Sequence, residues 1–269
     1  MYKIDYHIHT RFSMDSDADP LEEILAAKSR GIDDLIFTDH CDCNYELATP
    51  PDMEPWPFLE VEEYWKYMNE LRNTSGYDFG IGLEIGQSTQ ELERANGVIA
   101  SHDWDFVIGS LHNLNHEYDF CLLDYTKRDV YKTFGDYFAE LYDTAKINNF
   151  SVLGHLYYPI RYVINQGVDF DLSRFDAEMA DILKVIAQNG KGIEVNLKGF
   201  DPAKDNLIPN LKYVKMFREL GGEIITIGSD GHDNDAVGKY VTEATEMVKE
   251  AGFNYVAKFR KMKPTFERI

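Results

Sequence analysis

The sequence predicts an α/β fold in which parallel strands close toward a barrel. Three observations carry that expectation. Seven short runs rich in Ile, Val, Leu and Phe are each followed by a run with helical spacing. The alternation reaches the C-terminus without a linker, which favours one α/β domain over residues 1–269. No Gly-rich phosphate loop follows the first strand, so a doubly wound open sheet is the weaker alternative, and seven units is near the number that closes a parallel barrel.

In chain order, strands are expected at Tyr2–His9, Asp34–Thr38, Phe79–Ile85, Phe106–Leu111, Ser151–Gly154, Gly192–Leu197 and Glu223–Gly228. They are short and nearly continuous in apolar residues, as strands covered on both faces are. The first helix is the clearest, at Pro20–Arg30. Asp19 suits the N-cap, Pro20 the first helical position, Glu22 and Glu23 the positive end, and Gly31 the stop. Leu21, Ile24, Leu25 and Lys28 give the spacing of one buried face. Further helices fit 60–75, 88–101, 129–148, 174–189, 209–220 and 235–251.

Residues 41–59 break this rhythm. They hold Pro50, Pro51, Pro55 and Pro57 and follow the second strand, on the side where a barrel places its active site. A connection this long is typically functional or disordered. Trp56 and Phe58 favour a lid, with a rigid surface loop as the bland alternative. Near the C-terminus, Lys258, Arg260, Lys261 and Lys263 read as a solvated helix face.

Charge and cysteine usage narrow the class. Asp and Glu number 47 against 27 Lys and Arg, a formal charge of −20. That balance argues against a nucleic-acid coat protein and against docking on an anionic membrane. An anionic substrate stays open, because bound metal ions reverse the field inside one cleft. The opening run carries Lys3, Asp5 and two histidines rather than an apolar signal core, and no apolar run approaches the ~18 residues of a membrane span. Three cysteines, Cys41, Cys43 and Cys121, suggest reduced thiols. A zinc ribbon would need a second pair. Together these give the expectation of a cytoplasmic protein.

The eight histidines are the most informative residues. His7 and His9 lie two apart at the end of strand one, so alternation puts both on one face, with Asp5 a step deeper. His40 ends strand two, and Glu84 lies near the end of strand three. His112 follows strand four, His155 strand five, and Asp230 and His232 strand seven, while Asp15 lies in the loop after strand one. Nine candidate ligands thus fall at or just past the ends of six strands, which converge on one mouth in a parallel barrel. Only His102 and His116 fall outside the pattern. Imidazole with carboxylate suits zinc, iron or manganese. Asp39, beside His40, is a candidate to orient a ligand from behind.

These residues carry a resemblance. The set His7-Ile-His9, Thr38-Asp39-His40, Gly82-Leu83-Glu84, Gly109-Ser110-Leu111-His112, Gly154-His155 and Gly228-Ser229-Asp230-Gly231-His232 resembles the PHP (polymerase and histidinol phosphatase) superfamily. The length, the insert after strand two and the helix before Gly154-His155 are similar to its stand-alone histidinol-phosphate phosphatase branch. The resemblance implies a distorted (β/α)7 barrel, TIM-like, with two or three divalent ions of zinc, manganese or iron. It implies one metal on His7, His9, Glu84 and Asp230, a second on the bridging Glu84 with His112 and His155, and a third on Asp15, His40 and His232. Two departures stand out. SerAspGlyHis replaces the commoner SerAspAlaHis, and no acidic residue follows His155.

The activity so implied is metal-dependent hydrolysis of L-histidinol phosphate, in histidine biosynthesis, by a metal-bridging hydroxide. Three divalent ions less three carboxylates and one hydroxide leave roughly +2, an anion trap in an acidic protein. No serine elbow or Cys-x5-Arg loop is present to form a covalent phosphoenzyme. Asp15, Asp230 and His232 are the protein groups near enough to hand a proton to the leaving group. Arg161 and Lys198 are candidates to grip the phosphate, and Asp42 to meet the substrate's positive charge. The alternatives are a tyrosine-phosphate or nucleotide phosphohydrolase of the same superfamily, or a metal-binding protein without catalysis. The net charge and the lack of a basic groove disfavour a nucleic-acid strand as substrate.

Overall fold

The computed structural model describes residues 1–200 and 210–269. In chain order the elements are β1 (Ile4–Asp5), α1 (Pro20–Ser29), β2 (Asp34–Phe37), β3 (His40–Asp42), α2 (Val61–Thr74), β4 (Gly80–Gly86), α3 (Leu92–Ser101), β5 (Phe106–Ser110) and α4 (Val130–Ile147). There follow β6 (Val152–Leu153), α5 (Ile160–Asn165), α6 (Asp176–Gln188), β7 (Gly192–Asn196), α7 (Leu211–Glu219), β8 (Ile225–Gly228), α8 (Val241–Glu250), β9 (Tyr255–Arg260) and β10 (Lys263–Arg268). The expected helix at 209–220 starts partly outside the described residues.

The strands pair in parallel in the order β1-β2-β4-β5-β6-β7-β8, with β3 also on β4. Ile36 faces Gly80 and His40 faces Glu84, the same register, so β2 and β3 are one strand interrupted at Thr38 and Asp39. The ring closes where Tyr6 N donates to Ile227 O at 3.0 Å and His9 N to Gly231 O at 2.8 Å. A parallel bridge joins Ile8 to Gly231. This is the expected seven-position TIM-like barrel, distorted because β1 and β6 hold only two residues each. The first strand is therefore far shorter than the Tyr2–His9 run suggested. The backbone around His7 and His9 bonds to the segment after β8 instead of running as a regular strand.

Local chemistry sets the helices. In α1 the Asp19 carboxylate accepts from Leu21 N at 2.9 Å, and Gly31 at φ +66° turns the chain out. Asp129 caps α4 the same way through Lys132 N at 3.0 Å. Val130, Phe134, Tyr137, Phe138, Leu141 and Ala145 form its buried stripe, which packs beside α6. α8 begins at Val241 rather than near 235, because Arg30 draws the preceding loop in by donating to Asn234 O and Val237 O. Among the described residues no helix is long and apolar enough to cross a membrane.

The C-terminal basic run is not a helix face. Lys258 and Arg260 lie in β9, Lys263 starts β10, and the two strands form an antiparallel hairpin. Lys261 and Met262 both have positive φ, the geometry of a two-residue hairpin turn. The hairpin is held at the N-terminal end of the barrel. Met262 N donates to Asp105 O, Arg260 bonds Asp34, and Phe259 packs on Phe106 at 5.0 Å. The short apolar run Val256, Ala257, Phe259 is buried there, and the cations pair with carboxylates at strand starts.

One buried group opposes folding. Glu23 of α1 is fully buried and neither carboxylate oxygen has a hydrogen-bond partner. Burial first, then Asp39, Asp5, Asp19 and Asp233, pushes it up to about 10. The folded chain thus holds a proton that the unfolded chain releases near pH ~4.3. Stability from this site is greatest below that pH and falls as pH rises toward 10. Glutamine imitates the protonated acid, so Glu23→Gln should stabilise the fold by about 1–3 kcal/mol at neutral pH. Its gain in melting temperature should be larger at pH 8 than at pH 6. An equal shift at both values would show that Glu23 is not a buried acid.

Candidate metal centre

The C-terminal strand ends bring all nine predicted ligands to one mouth. Glu84, on β4, is at its centre. Its Oε2 lies 3.2 Å from His7 Nε2, 3.5 Å from His9 Nε2 and 2.9 Å from His40 Nδ1. Its Oε1 lies 3.0 Å from His112 Nε2 and 2.7 Å from His155 Nε2. Asp230 Oδ1 is 3.4 Å from His9 Nε2 and 3.9 Å from His7 Nε2. Asp15 sits at the rim, with His232 Nε2 at 2.9 Å and His40 Nε2 at 3.7 Å.

Three groups have ligand atoms within 4.8 Å of one another: His7, His9 and Asp230; His40, Glu84 and His112; and His9, His40 and His232. The first holds three of the four residues expected of one ion, and the other two join His40 to Glu84 and His112 and to His9 and His232, groupings other than those expected from the sequence. His40 lies between the other two, close to Glu84 as well as to Asp15.

Polar groups behind the rings fix which nitrogen faces inward. His7 Nδ1 is 2.6 Å from Glu194 Oε1, and His112 Nδ1 is 2.9 Å from Asp42 Oδ1. His9 Nδ1 meets Ser13 Oγ at 3.2 Å, and Ser13 Oγ donates to Asp39 Oδ1 at 2.7 Å. His232 Nδ1 meets the Asp230 carbonyl at 3.0 Å. At His7, His9 and His112 an acceptor holds the Nδ1 proton and leaves the Nε2 lone pair aimed at the cluster, the usual arrangement around a metal ligand, whereas at His232 the Lys198 ammonium also reaches Nδ1, at 2.7 Å. His155 lacks such a partner: its Nδ1 is buried and unbonded, matching the missing acidic neighbour in the sequence.

The electrostatics agree. Burial alone would raise Glu84, but His7, His112 and His40 outweigh it and hold the carboxylate well below its usual range. Asp230 is likewise held down, by His7 first and then Lys198, against its own burial. The imidazoles split. His7 and His112 rise against burial because carboxylates face them, and His40 rises to about 9 beside Glu84 and Asp15. Burial pushes His9 and His155 down. His7 Nε2, His9 Nε2, His40 Nδ1 and Glu84 Oε2 are all buried and lack a hydrogen-bond partner. Orphaned donor atoms converging on shared points, on imidazole and carboxylate only, fit divalent transition metals.

The remaining predicted residues divide. Arg161 and Lys198 line the same open cavity as Asp15, His40, Glu84 and Asp230. Arg161 lies 3.5 Å from Asp230 Oδ2 with its Nε unbonded, and Lys198 Nζ is 2.7 Å from His232 Nδ1. Asp42 does not face the cavity. It is buried behind His112, where Gly86 leaves it room: a Cβ on Gly86 would lie 1.9 Å from Asp42 Oδ1. No residue of the insert 41–59 is among those lining the cavity. The insert opens with β3, and Phe58 packs on Tyr45 and under the Arg94 guanidinium. Cys41 and Cys43 are buried free thiols.

Sequence reasoning missed Glu194, assigning β7 no role at the cluster. Its Oε1 holds His7 and its Oε2 accepts from His155 N at 3.1 Å, so one carboxylate braces two ligand strands. Gly228 clears the approach, since a Cβ there would lie 2.3 Å from Glu194 Oε1. The available signal was an acidic residue in an otherwise apolar strand run. Glu194→Gln should weaken metal affinity by about 10–100-fold with the fold kept, read by chelator competition. Unchanged affinity would remove Glu194 from the ligand frame.

Comparison with known proteins fits this geometry. The chain is 29% identical to the histidinol-phosphatase of Lactococcus lactis, over 98% of this chain and 96% of that protein. It is also 29% identical to a probable histidinol-phosphatase of Thermotoga maritima, over 94% of each. The crystal structure of the L. lactis histidinol phosphate phosphatase, complexed with zinc, L-histidinol and phosphate, superposes with a TM-score of 0.82 at 27% identity, covering 98% of both chains. The PHP domain family model matches residues 5–198, a span holding His7, His9, Asp15, His40, Glu84, His112 and His155, and the chain belongs to the PHP family.

Proposed function

We propose that this protein is a metal-dependent phosphomonoesterase that hydrolyses L-histidinol phosphate to L-histidinol and phosphate. The observation that carries this is the coincidence, in one cavity, of a His/carboxylate donor cluster with the cations Arg161 and Lys198. The relatives named for the same activity, one of them with zinc, histidinol and phosphate bound, support it. We take residues 1–269 as one catalytic unit, acting on a small phosphate ester rather than a nucleic acid, in the cytoplasm.

His7, His9, Glu84 and Asp230 would hold one ion, Glu84 with His112 and His155 a second, and Asp15, His40 and His232 a third. When bound, such ions acidify a water and offset the charge that builds on the phosphoryl oxygens. The chain's own groups do the rest. Glu194, Asp42, Asp39 and Ser13 keep the ligand rings in the tautomer that points Nε2 inward. Arg161 offers unspent N–H donors to the phosphate oxygens, and Tyr158, 4.9 Å below its guanidinium, keeps the fork flat against the wall. Lys198 Nζ donates to the Asp230 carbonyl at 3.0 Å and lies 2.7 Å from His232 Nδ1, and its partly exposed ammonium keeps an N–H for the phosphate. Of the residues named for proton transfer, Asp230 is buried, whereas Asp15 is 46% exposed at the rim. His40 and His232 hold the Asp15 carboxyl well below its usual range against the pull of desolvation, so it stands as an ionised ligand and holds no proton for the leaving alkoxide.

The test is phosphate release from histidinol phosphate, phosphotyrosine and nucleotides, before and after chelation. Histidinol phosphate should be preferred, chelation should stop turnover, and added manganese, zinc or iron should restore it. Arg161→Ala should keep its metals and lose about a hundredfold in kcat/KM, the scale of a lost oxyanion donor. Turnover undiminished by chelation would sink the metal mechanism, and preference for another ester would reassign the substrate.

A further inference from the structure

The phosphate half of the substrate accounts for the metals and two cations, but nothing above recognises the organic half. One side of the cavity is aromatic. Tyr158 and Tyr162 line it beside the donor cluster. The Tyr158 ring packs 5.1 Å from His112 and 4.8 Å from His155, so it starts where the cluster ends. Tyr162 stands edge-on to it at 5.3 Å, one step farther out.

The hydroxyls of this wall are ordered. Tyr162 Oη donates to Tyr158 Oη at 2.9 Å, and Tyr158 Oη donates to Asp119 Oδ1 at 3.3 Å. Asp119 is only 3% exposed, and its Oδ1 also accepts from Cys121 N at 2.7 Å. A buried carboxylate at the inner end sets the direction of the whole chain. Each hydroxyl proton is spent inward, so Tyr162 Oη keeps its lone pairs for the cavity side and has no proton to give there. A phosphate oxygen has nothing to bond at such a group, whereas an N–H donor does. Arg161, the nearest cation, is held on the other side by Asp230, over the Tyr158 face.

We propose that Tyr162 is the specificity residue for the organic half, accepting a hydrogen bond from a charged N–H group. Tyr158 and Asp119 are positioning residues that make its oxygen an acceptor. The inference rests on the reading of the protein as a histidinol-phosphate phosphatase. Histidinol phosphate carries two such donors, the ammonium and the imidazole, and the chemistry at Tyr162 is shared by both.

The experiment measures kcat and KM separately on four substrates: histidinol phosphate, its analogue without the amine, 2-aminopropyl phosphate without the ring, and phenyl phosphate with neither. The enzymes are wild type, Tyr162→Phe and Asp119→Asn, the last of which keeps an acceptor for Cys121 N. Tyr162→Phe should lower the specificity ratio for histidinol phosphate over phenyl phosphate about tenfold, mostly through KM, with full metal content. Asp119→Asn should lower it in the same direction by less. The analogue that has already lost the donor in question should show no such drop, which identifies the ammonium or the ring. Equal losses on all four substrates, or an unchanged ratio, would overturn the proposal. Failure of wild type to prefer histidinol phosphate over phenyl phosphate would instead overturn the functional reading beneath it.

Discussion

Glu84 lies fully buried at the centre of the barrel mouth, with ring nitrogens of five histidines within 3.5 Å of its two oxygens. A carboxylate taken out of water is costly unless positive charge answers it. Neutral imidazoles alone do not answer it, since their inward lone pairs repel the same oxygens. Protons are one answer, and the upward shifts of His7, His40 and His112 against their burial express it. Divalent ions between the nitrogens and the oxygens are a better one, because each satisfies several lone pairs at once.

Much of the architecture serves that constraint. The break at Thr38 and Asp39 lets β2 and β3 keep one register on β4 while Asp39 turns to hold Ser13 behind His9. Gly86 and Gly228 exist as close approaches, one for Asp42 and one for Glu194. Asp5, which shares its face with the ligands in sequence, has a structural task instead. It accepts from Ser229 N and Gly238 N and so anchors the loop that carries Asp230 and His232. At the opposite end of the barrel the β9–β10 hairpin covers the strand starts, leaving the mouth as the open face.

The convergence of the nine candidate ligands was legible because strand ends of a parallel barrel meet at one mouth, so residues scattered through the chain needed only their strand positions to be grouped. What lay behind the ligands was less legible. Glu194 reads as one acid in a buried strand, and only the ring closure brings it to His7 from 187 positions away. Asp42 reads as a loop residue, yet β3 carries it beneath His112. The hairpin was hidden for a different reason. Its turn uses Lys261 and Met262 at positive φ, without the Asn or Gly that normally marks such a turn, and its strands carry cations that read as a helix face. The insert looked like a lid by length and prolines, but Phe58 packs on Tyr45 and beneath Arg94 rather than among the cavity-lining residues.

The central claim is that Glu84 is the bridge on which the metal cluster is built. Metal content per chain of Glu84→Gln against wild type, both purified without chelator and matched for folding by melting temperature, tests it most directly. The amide keeps the shape and removes the charge shared between ions. The account predicts that the variant retains the fold and loses at least one metal equivalent, with phosphate release falling accordingly. A variant with full metal content and full rate would contradict it.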